Sequence, residues 1–335
     1  MQPELSIVIP TYNRRERLRD TLEALRHQSI DKCCFEILVV DDGSDDGTNE
    51  MVAEQAKNKS AEIRYIWQER RRAGTARNTG ILAARAPIVL LMDSDILVHA
   101  DHVRLHLDLH CKYPTPEVAV LGRITPGEDG VDLLRWSDSD IVQTGYATGG
   151  EPVVSGAFFV TADVSLKKNF AIEAGLFTPE LPVVEDMDLA WRLRDRGMQL
   201  IYCREAVAIH TDPMDTVDKV VLSGKKYGRA FAEWRGRIPL YQSEIWELGG
   251  RFNGGWKHFR FRPWAYVKDA VRRWAINQYS IGILLRIARN IPILNPPNPL
   301  LLRLCKEIWA YYYRHEYYER RRQLATLEAR KRSRE

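Results

Sequence analysis

Residues 88–95 read IVLLMDSD, five apolar side chains followed by two carboxylates around a serine. A short, wholly apolar run bounded by polar residues is what a strand buried on both faces requires, and this one ends on Asp93. Similar runs occur at residues 5–9 (LSIVI), 35–40 (FEILVV) and 63–67 (IRYIW). Between them lie turn residues and helical spacing. Leu18, Leu22 and Leu25 recur after the first run, with Asn13 three residues before Glu16 as a capping-box signal. Residues 48–56 follow the second run as a helix. After the third, Gly74 precedes a helix of small residues over 75–85. This alternation predicts a parallel sheet with helices on both faces, in which ligands bind beyond the carboxyl ends of the strands. Asp41-Asp42 and Asp93-Ser94-Asp95 would then share one rim.

Further along, the sequence predicts a helix over 101–112, strands over 118–121 and 157–160, and a helix over 185–196 with acids in its first turn and Gly197 as its stop. Strands over 200–203 and 207–209 follow, with His210 at the exit. Beyond residue 216 the pattern changes. Tyr227, Phe231 and Trp234 take helical spacing, Trp264, Val267, Val271 and Trp274 repeat it, and residues 311–334 read as a basic helix. Pro296-Pro297-Asn298-Pro299 marks a break between helices. The expected division is an α/β region over 1–215 and a helical, aromatic- and Arg-rich region over 216–335.

The 335 residues are long enough to bury a substantial core. The net charge of +4 lies in residues 314–335, which hold eight basic and four acidic side chains; the remainder balances at 41 of each. A neutral body with a basic tail argues against a nucleic-acid binder and leaves an anionic membrane surface as a partner for the tail. Five cysteines, odd in number and without a C-x-x-C, fit a reducing compartment. Met1-Gln2-Pro3-Glu4 shows no signal-peptide pattern, and no run of about 18 apolar residues predicts a spanning helix. The expected location is the cytoplasm or the inner face of the membrane.

Several clusters can carry chemistry, and each has a plainer alternative. Two carboxylates at a strand end suit a divalent cation that also binds substrate phosphates, or form a polar loop. Asp41 and Asp42 in VVDDGSDDGT accept hydrogen bonds from a base or ribose, or cap a turn. Residues 73–80 (AGTARNTG) present a helix N-terminus and Arg77 to an anion, or pack a tight helix with Arg77 in solvent. Glu185-Asp186 serves as a general base, or as a partner of the helix dipole. His210 completes a metal site or is structural. His102, His106 and His110 form a stripe whose adjacent members could share a metal; a solvated helix face is the expectation. Neither a P-loop, nor G-x-G-x-x-G, nor G-x-S-x-G is present.

In order, SIVIPTYNRRERL, VVDDGSDDGT, GTARNTGI, LLMDSD and VEDMDLAWRLRDRG, then a His at a strand end, resemble family 2 glycosyltransferases of the GT-A fold. The resemblance spans about residues 5–212. It implies an α/β, Rossmann-like, mostly parallel mixed sheet flanked by helices, here with a helical C-terminal extension. It also implies a metal-dependent (Mn2+ or Mg2+), inverting transfer from a nucleotide-sugar, commonly a UDP-sugar, to an acceptor hydroxyl in cell-surface glycan or glycoconjugate synthesis. Carried over by position, Pro10, Thr11 and Tyr12 line the nucleotide pocket. Asp42 binds uracil with Asp41 beside it, and Arg77 and Asn78 approach the nucleotide or its phosphates. Asp93, with Ser94 next to it, contacts ribose or metal, and Asp95 coordinates the metal. Asp186 is the catalytic base, Glu185 orients it or binds acceptor, and His210 is a further metal or phosphate ligand.

The family's processive synthases carry membrane helices and a Q-x-x-R-W motif. Neither is present, which points to a single-sugar transferase. Residues 122–155 hold no acceptor signature, so a glycan, a lipid-linked or another small acceptor all remain open. Residues 256–289 interleave aromatic and basic side chains, as an interfacial surface or as a helical cap. The competing functions are a non-catalytic nucleotide- or carbohydrate-binding protein on the same fold, and a nucleotidyltransferase. The latter would need a glycine-rich phosphate loop that IPTYNRRERL lacks.

Overall fold

The structure, a computed structural model, describes residues 2–57, 61–126, 159–179, 181, 183–212, 215–235, 275–293 and 298–332. The chain divides into two compact units, residues 1–130 with 136–213, and residues 214–335 with 131–135.

The first unit is built on a mixed sheet of order β3-β2-β1-β4-β7-β6-β8-β5. Its strands are β1 (Leu5–Thr11), β2 (Phe35–Asp41), β3 (Glu62–Trp67), β4 (Ile88–Met92), β5 (Ile96–Val98), β6 (Val118–Pro126), β7 (Asp163–Lys167) and β8 (Gln199–His210). The first four are parallel, as the apolar runs predict. β7 enters antiparallel between β4 and β6, and β5 closes the edge antiparallel to β8. The helices are α1 (Arg15–Arg26), α2 (Thr48–Ala56), α3 (Ala73–Ala83), α4 (His102–Lys112), α5 (Lys168–Glu173) and α6 (Glu185–Arg194).

Alternation along each strand feeds two cores, because successive side chains leave opposite faces. Ile7, Ile9, Ile37, Val39 and Leu90 pack with Leu18, Leu22 and Leu25 of α1, Met51 of α2 and Val103 and Leu107 of α4. Val8, Leu38 and Leu91 face the other way, onto Ile81 of α3, Phe170 of α5 and Leu189 and Leu193 of α6. Gly80 lets α3 lie against β1, since a Cβ there would stand 2.3 Å from Val8 Cγ1.

Several expectations are corrected. Asn13 takes a left-handed φ of 49° and does not cap α1. The N-cap is Arg14, and the Asn13 side chain instead exchanges hydrogen bonds with Asp45. The two strands expected over 200–203 and 207–209 are one, β8, with a bulge in its pairing to β6. Phe159 and Val160 lie outside any strand, and β7 takes that place in the sheet. His102, His106 and His110 are buried rather than solvated, because this face of α4 points at Asp163 and Ser165 on β7. Residues 127–158 and 236–274, with the readings made on Trp264 to Trp274 and on most of the acceptor side, lie outside the described residues.

In the second unit α7 (Val217–Arg235), α8 (Ser280–Asn290) and α9 (Pro299–Arg332) share a cluster of Val217, Val220, Ile281, Leu301, Ile308, Trp309 and Tyr313. Tyr227 and Phe231 pack against it, as their spacing predicts. Trp309 donates to Ser223 Oγ at 3.2 Å inside this core. No described helix is long and apolar enough to cross a membrane.

Candidate active site

β1 pairs with both β2 and β4, with Thr11 opposite Asp41, so the acidic loops after β2 and β4 leave the same edge of the sheet. The segment after β4 is tied down by its backbone. Asp93 N–H donates to the Ala162 carbonyl at 3.3 Å, and the Asp95 carbonyl accepts both the N–H and the hydroxyl of Thr211 at 2.9 Å. β5 then starts with Ile96 opposite His210, which brings the His210 Nε2 to 3.7 Å from Asp95 Oδ2.

Asp95 is buried, and so is Ser94. Asp95 Oδ2 accepts from the Arg14 guanidinium, while Oδ1 is buried without a hydrogen-bond partner. Burial, reinforced by the Asp93 charge, raises the Asp95 carboxyl above the usual range; His210 and Arg14 pull it back. Arg14 also reaches Asp212 at 3.0 Å, and Arg17 meets the same carboxylate at 2.8 Å.

Asp93 is more open, and its Oδ1 takes Arg77 at 2.7 Å. Arg77 is buried, not solvated, and its other amino group holds Glu185 Oε1 at 3.0 Å. Glu185, Asp186 and Asp188 occupy the first turn of α6, whose N-cap Val184 offers no side-chain cap; the acids answer the exposed N–H groups and the dipole. Their roles separate by environment. Asp188 accepts from Thr178 and Arg192 at 2.7 Å each, a framework role. Asp186 Oδ1 accepts the N–H of Met187 at 2.7 Å. Burial and the adjacent Glu185 push its carboxyl up to about 7, against the pull of that N–H and of Arg77.

On the other side of the rim, side chains are engaged by the framework. Asp42 Oδ1 accepts from Gln68 Nε2 and Arg71 N at 2.7 Å, and Oδ2 from Arg72 N at 2.8 Å, which fixes the turn entering α3. Asp41 accepts from the Tyr65 hydroxyl at 2.6 Å and Ser44 N at 2.8 Å. The Asn78 amide clamps the Phe177 backbone in both directions at 2.8 Å. Pro10 and Thr11 are buried at the end of β1, and Thr11 Oγ1 has no partner. Tyr12 accepts from Arg70 at 2.9 Å, with that guanidinium 3.8 Å from its ring centre.

A continuous relay therefore joins Asp93, Arg77 and Glu185, next to Asp186, while His210 and Arg14 converge on Asp95. Arg14, Thr211, Asp212 and Gln68 belong to this construction and carry no sequence signal: Arg14 and Asp212 are 198 residues apart.

Residues 6–169 match the model of glycosyl transferase family 2. That stretch of the chain belongs to the family. The chain is 38% identical over 122 residues to validoxylamine A glucosyltransferase of Streptomyces hygroscopicus subsp. jinggangensis, covering 36% of this chain and 28% of that one. It is 26% identical over 257 residues to the uncharacterized glycosyltransferase YfnE of Bacillus subtilis, covering 62% and 64%. The chain thus spans less than a third of the first relative and under two thirds of the second. Among solved structures, a mannosyltransferase of Pyrobaculum calidifontis, in complex with GDP-Man and Mn2+, superposes with a TM-score of 0.62 at 18% identity, over 94% of this chain and 87% of that one. S. aureus TarS in complex with UDP-GlcNAc gives 0.55 at 16%, over 96% and 92%. These likenesses establish a fold of the GT-A type.

Proposed function

We propose that this chain transfers a sugar, with inversion, from a nucleoside diphosphate sugar to an acceptor hydroxyl, with a divalent cation at Asp93 and Asp95. The observation that carries the reading is the relay from Asp93 through Arg77 to Glu185, which sets a nearly neutral-pKa carboxylate, Asp186, beside the acidic pair. A carboxyl titrating near 7 suits a general base at neutral pH better than an ordinary aspartate does.

The donor set fits a Mn2+ or Mg2+ ion. Asp95 Oδ1 is a buried oxygen without a partner, Asp93 keeps a face open, and His210 adds an imidazole. Asp93, Asp95 and His210 are the residues that would hold it. When bound, the ion supplies positive charge to a departing diphosphate. Arg77 keeps Asp93 and Glu185 from repelling each other and fixes Glu185 beside Asp186. Asp186 accepts the acceptor's hydroxyl proton. Holding both reactants in line lowers the barrier by removing orientational freedom. Mn2+ and a nucleotide-sugar in complexes of fold neighbours support the reading. The family resemblance makes UDP-sugars the first donors to test, and glycan or lipid-linked hydroxyls at the cytoplasmic membrane face the first acceptors.

A donor-hydrolysis screen over UDP-, GDP- and dTDP-sugars, with Mn2+ or Mg2+ and again after chelation, tests this. Metal-dependent release of one nucleotide is expected. Calorimetric binding of a nucleotide-sugar with no turnover under any metal, even with acceptor extracts, would favour the non-catalytic alternative.

A further inference from the structure

α4 carries a second cluster of metal-type ligands, apart from Asp93, Asp95 and His210. His102 and His106, one turn apart, both face Asp163, the first residue of β7. His102 Nε2 stands 2.9 Å from Asp163 Oδ1 and His106 Nε2 stands 3.5 Å from the same atom. One ligand atom from each of the three residues lies within 4.8 Å of the others, and all three side chains are fully buried.

The surroundings hold these groups in place without satisfying them. His106 Nδ1 lies 2.8 Å from Ser165 Oγ, and His110 Nε2 lies 2.9 Å from the same hydroxyl. One proton on Ser165 serves only one ring, so Ser165 donates to His110 and accepts from His106 Nδ1–H in one consistent arrangement. His106 Nε2 is then a bare lone pair aimed at a carboxylate. It has no hydrogen-bond partner, and neither has Asp163 Oδ2. Gly122 on β6 leaves room for that oxygen, since a Cβ there would stand 1.8 Å from it. Among the described residues the ion-pair partners of Asp163 are these two imidazoles alone. A buried carboxylate is heavily penalised unless positive charge faces it, either a proton on these imidazoles or a bound cation. A proton on His106 Nε2 would meet Asp163 without hydrogen-bond geometry, whereas an ion shared by the three side chains gives that nitrogen a partner.

We propose that His102, His106 and Asp163 form a buried three-residue site for a zinc-type divalent ion. Two His at i and i+4 on one helix face with a carboxylate are a suitable donor set. Tetrahedral bonds near 2.0–2.1 Å separate ligand atoms by roughly 3.3 Å; the two His–Asp163 separations of 2.9 and 3.5 Å bracket that value, and the whole set, within 4.8 Å, has to tighten around the ion. Ser165 acts behind the first ligands, fixing the His106 tautomer. The site sits behind the active-site loop: Asp163 pairs with Met92, the residue before Asp93. The inference does not depend on the glycosyltransfer reading.

The test uses the full chain carrying Asp95→Asn, which disables the other acidic site. After purification and dialysis, elemental analysis is expected to find about one tightly held zinc per chain. Cobalt substitution should give the intense visible bands of a tetrahedral site. His106→Gln and Asp163→Asn should each abolish both signals, and zinc should raise the melting temperature of stripped Asp95→Asn protein but not of these variants. Should either variant fail to fold, the cobalt spectrum and zinc content of the Asp95→Asn chain decide alone. A folded chain that retains no zinc and stays spectroscopically silent with Co2+ overturns the proposal and leaves a proton-held His–Asp network.

Discussion

Asp186 faces two opposed demands. Its surroundings favour the neutral acid, yet the general-base role proposed for it requires the anion. An unfolded aspartate titrates near 3.9, and this one is pushed up to about 7. As pH rises between those values the unfolded chain sheds this proton first, so folding stability from Asp186 falls across that window and stays lowered above it. Asp186→Asn should therefore melt higher than the parent at pH 8 and alike near pH 4, while transfer drops by ~10²–10⁴-fold and nucleotide binding survives. Scanning fluorimetry and a transfer assay read the two effects, and undiminished turnover would refute the assignment. The parent's kcat/KM should climb as pH crosses about 7 and then level. Asp95→Ala should lose metal-stimulated nucleotide binding in calorimetry; an unchanged isotherm counts against its role.

At the scale of elements, β1, β2 and β4 were legible because each is a largely apolar, fully buried run, and such runs have few other places to go; β3, with Glu62 and Arg64 and only partly buried, stood out less. β7 was not legible. Its residues on one face are Asp163 and Ser165, polar because they meet histidines, which leaves only Val164 and Leu166 as apolar side chains in DVSLK, too short an alternation to stand out. The histidine stripe on α4 read as solvated for the same reason: its partners lie 55 to 61 residues away. Of the site, the acidic positions stood out by order and spacing. The engagement of Asp42 and Asn78 by the framework did not, since hydrogen bonds to backbone leave no trace in composition. Helix packing in the second unit depends on a small-residue contact. Gly224 and Gly228 on α7 face the Trp309 and Tyr313 carbonyls of α9, where added Cβ atoms would stand 2.7 and 2.2 Å away. Gly228→Val should cost about 1–3 kcal/mol by overpacking, read by denaturant titration. A neutral outcome would mean the helices separate easily.

At the scale of the whole chain, charge and exposed apolar surface coincide in the second unit. α8 exposes Ile283 and Ile287, with Arg286 and Arg289 on the same short helix, and the excess positive charge of the sequence lies at the end of α9. Vesicles rich in anionic lipid should pellet the full chain at low salt, and Ile283→Glu with Ile287→Glu should release it. Equal recovery with neutral and anionic vesicles would discard the membrane-facing reading. The backbone ties of the acidic loop carry a consequence for biogenesis. Asp95 is held by Thr211, 116 positions later, and Arg14 spans to Asp212. During synthesis the acidic pair leaves the ribosome long before its anchors do, and contacts so remote in sequence close late. A stalled nascent chain ending before residue 211 holds both carboxylates without the ties that fix them, so the donor binding proposed for this pair has to wait until the sheet is closed.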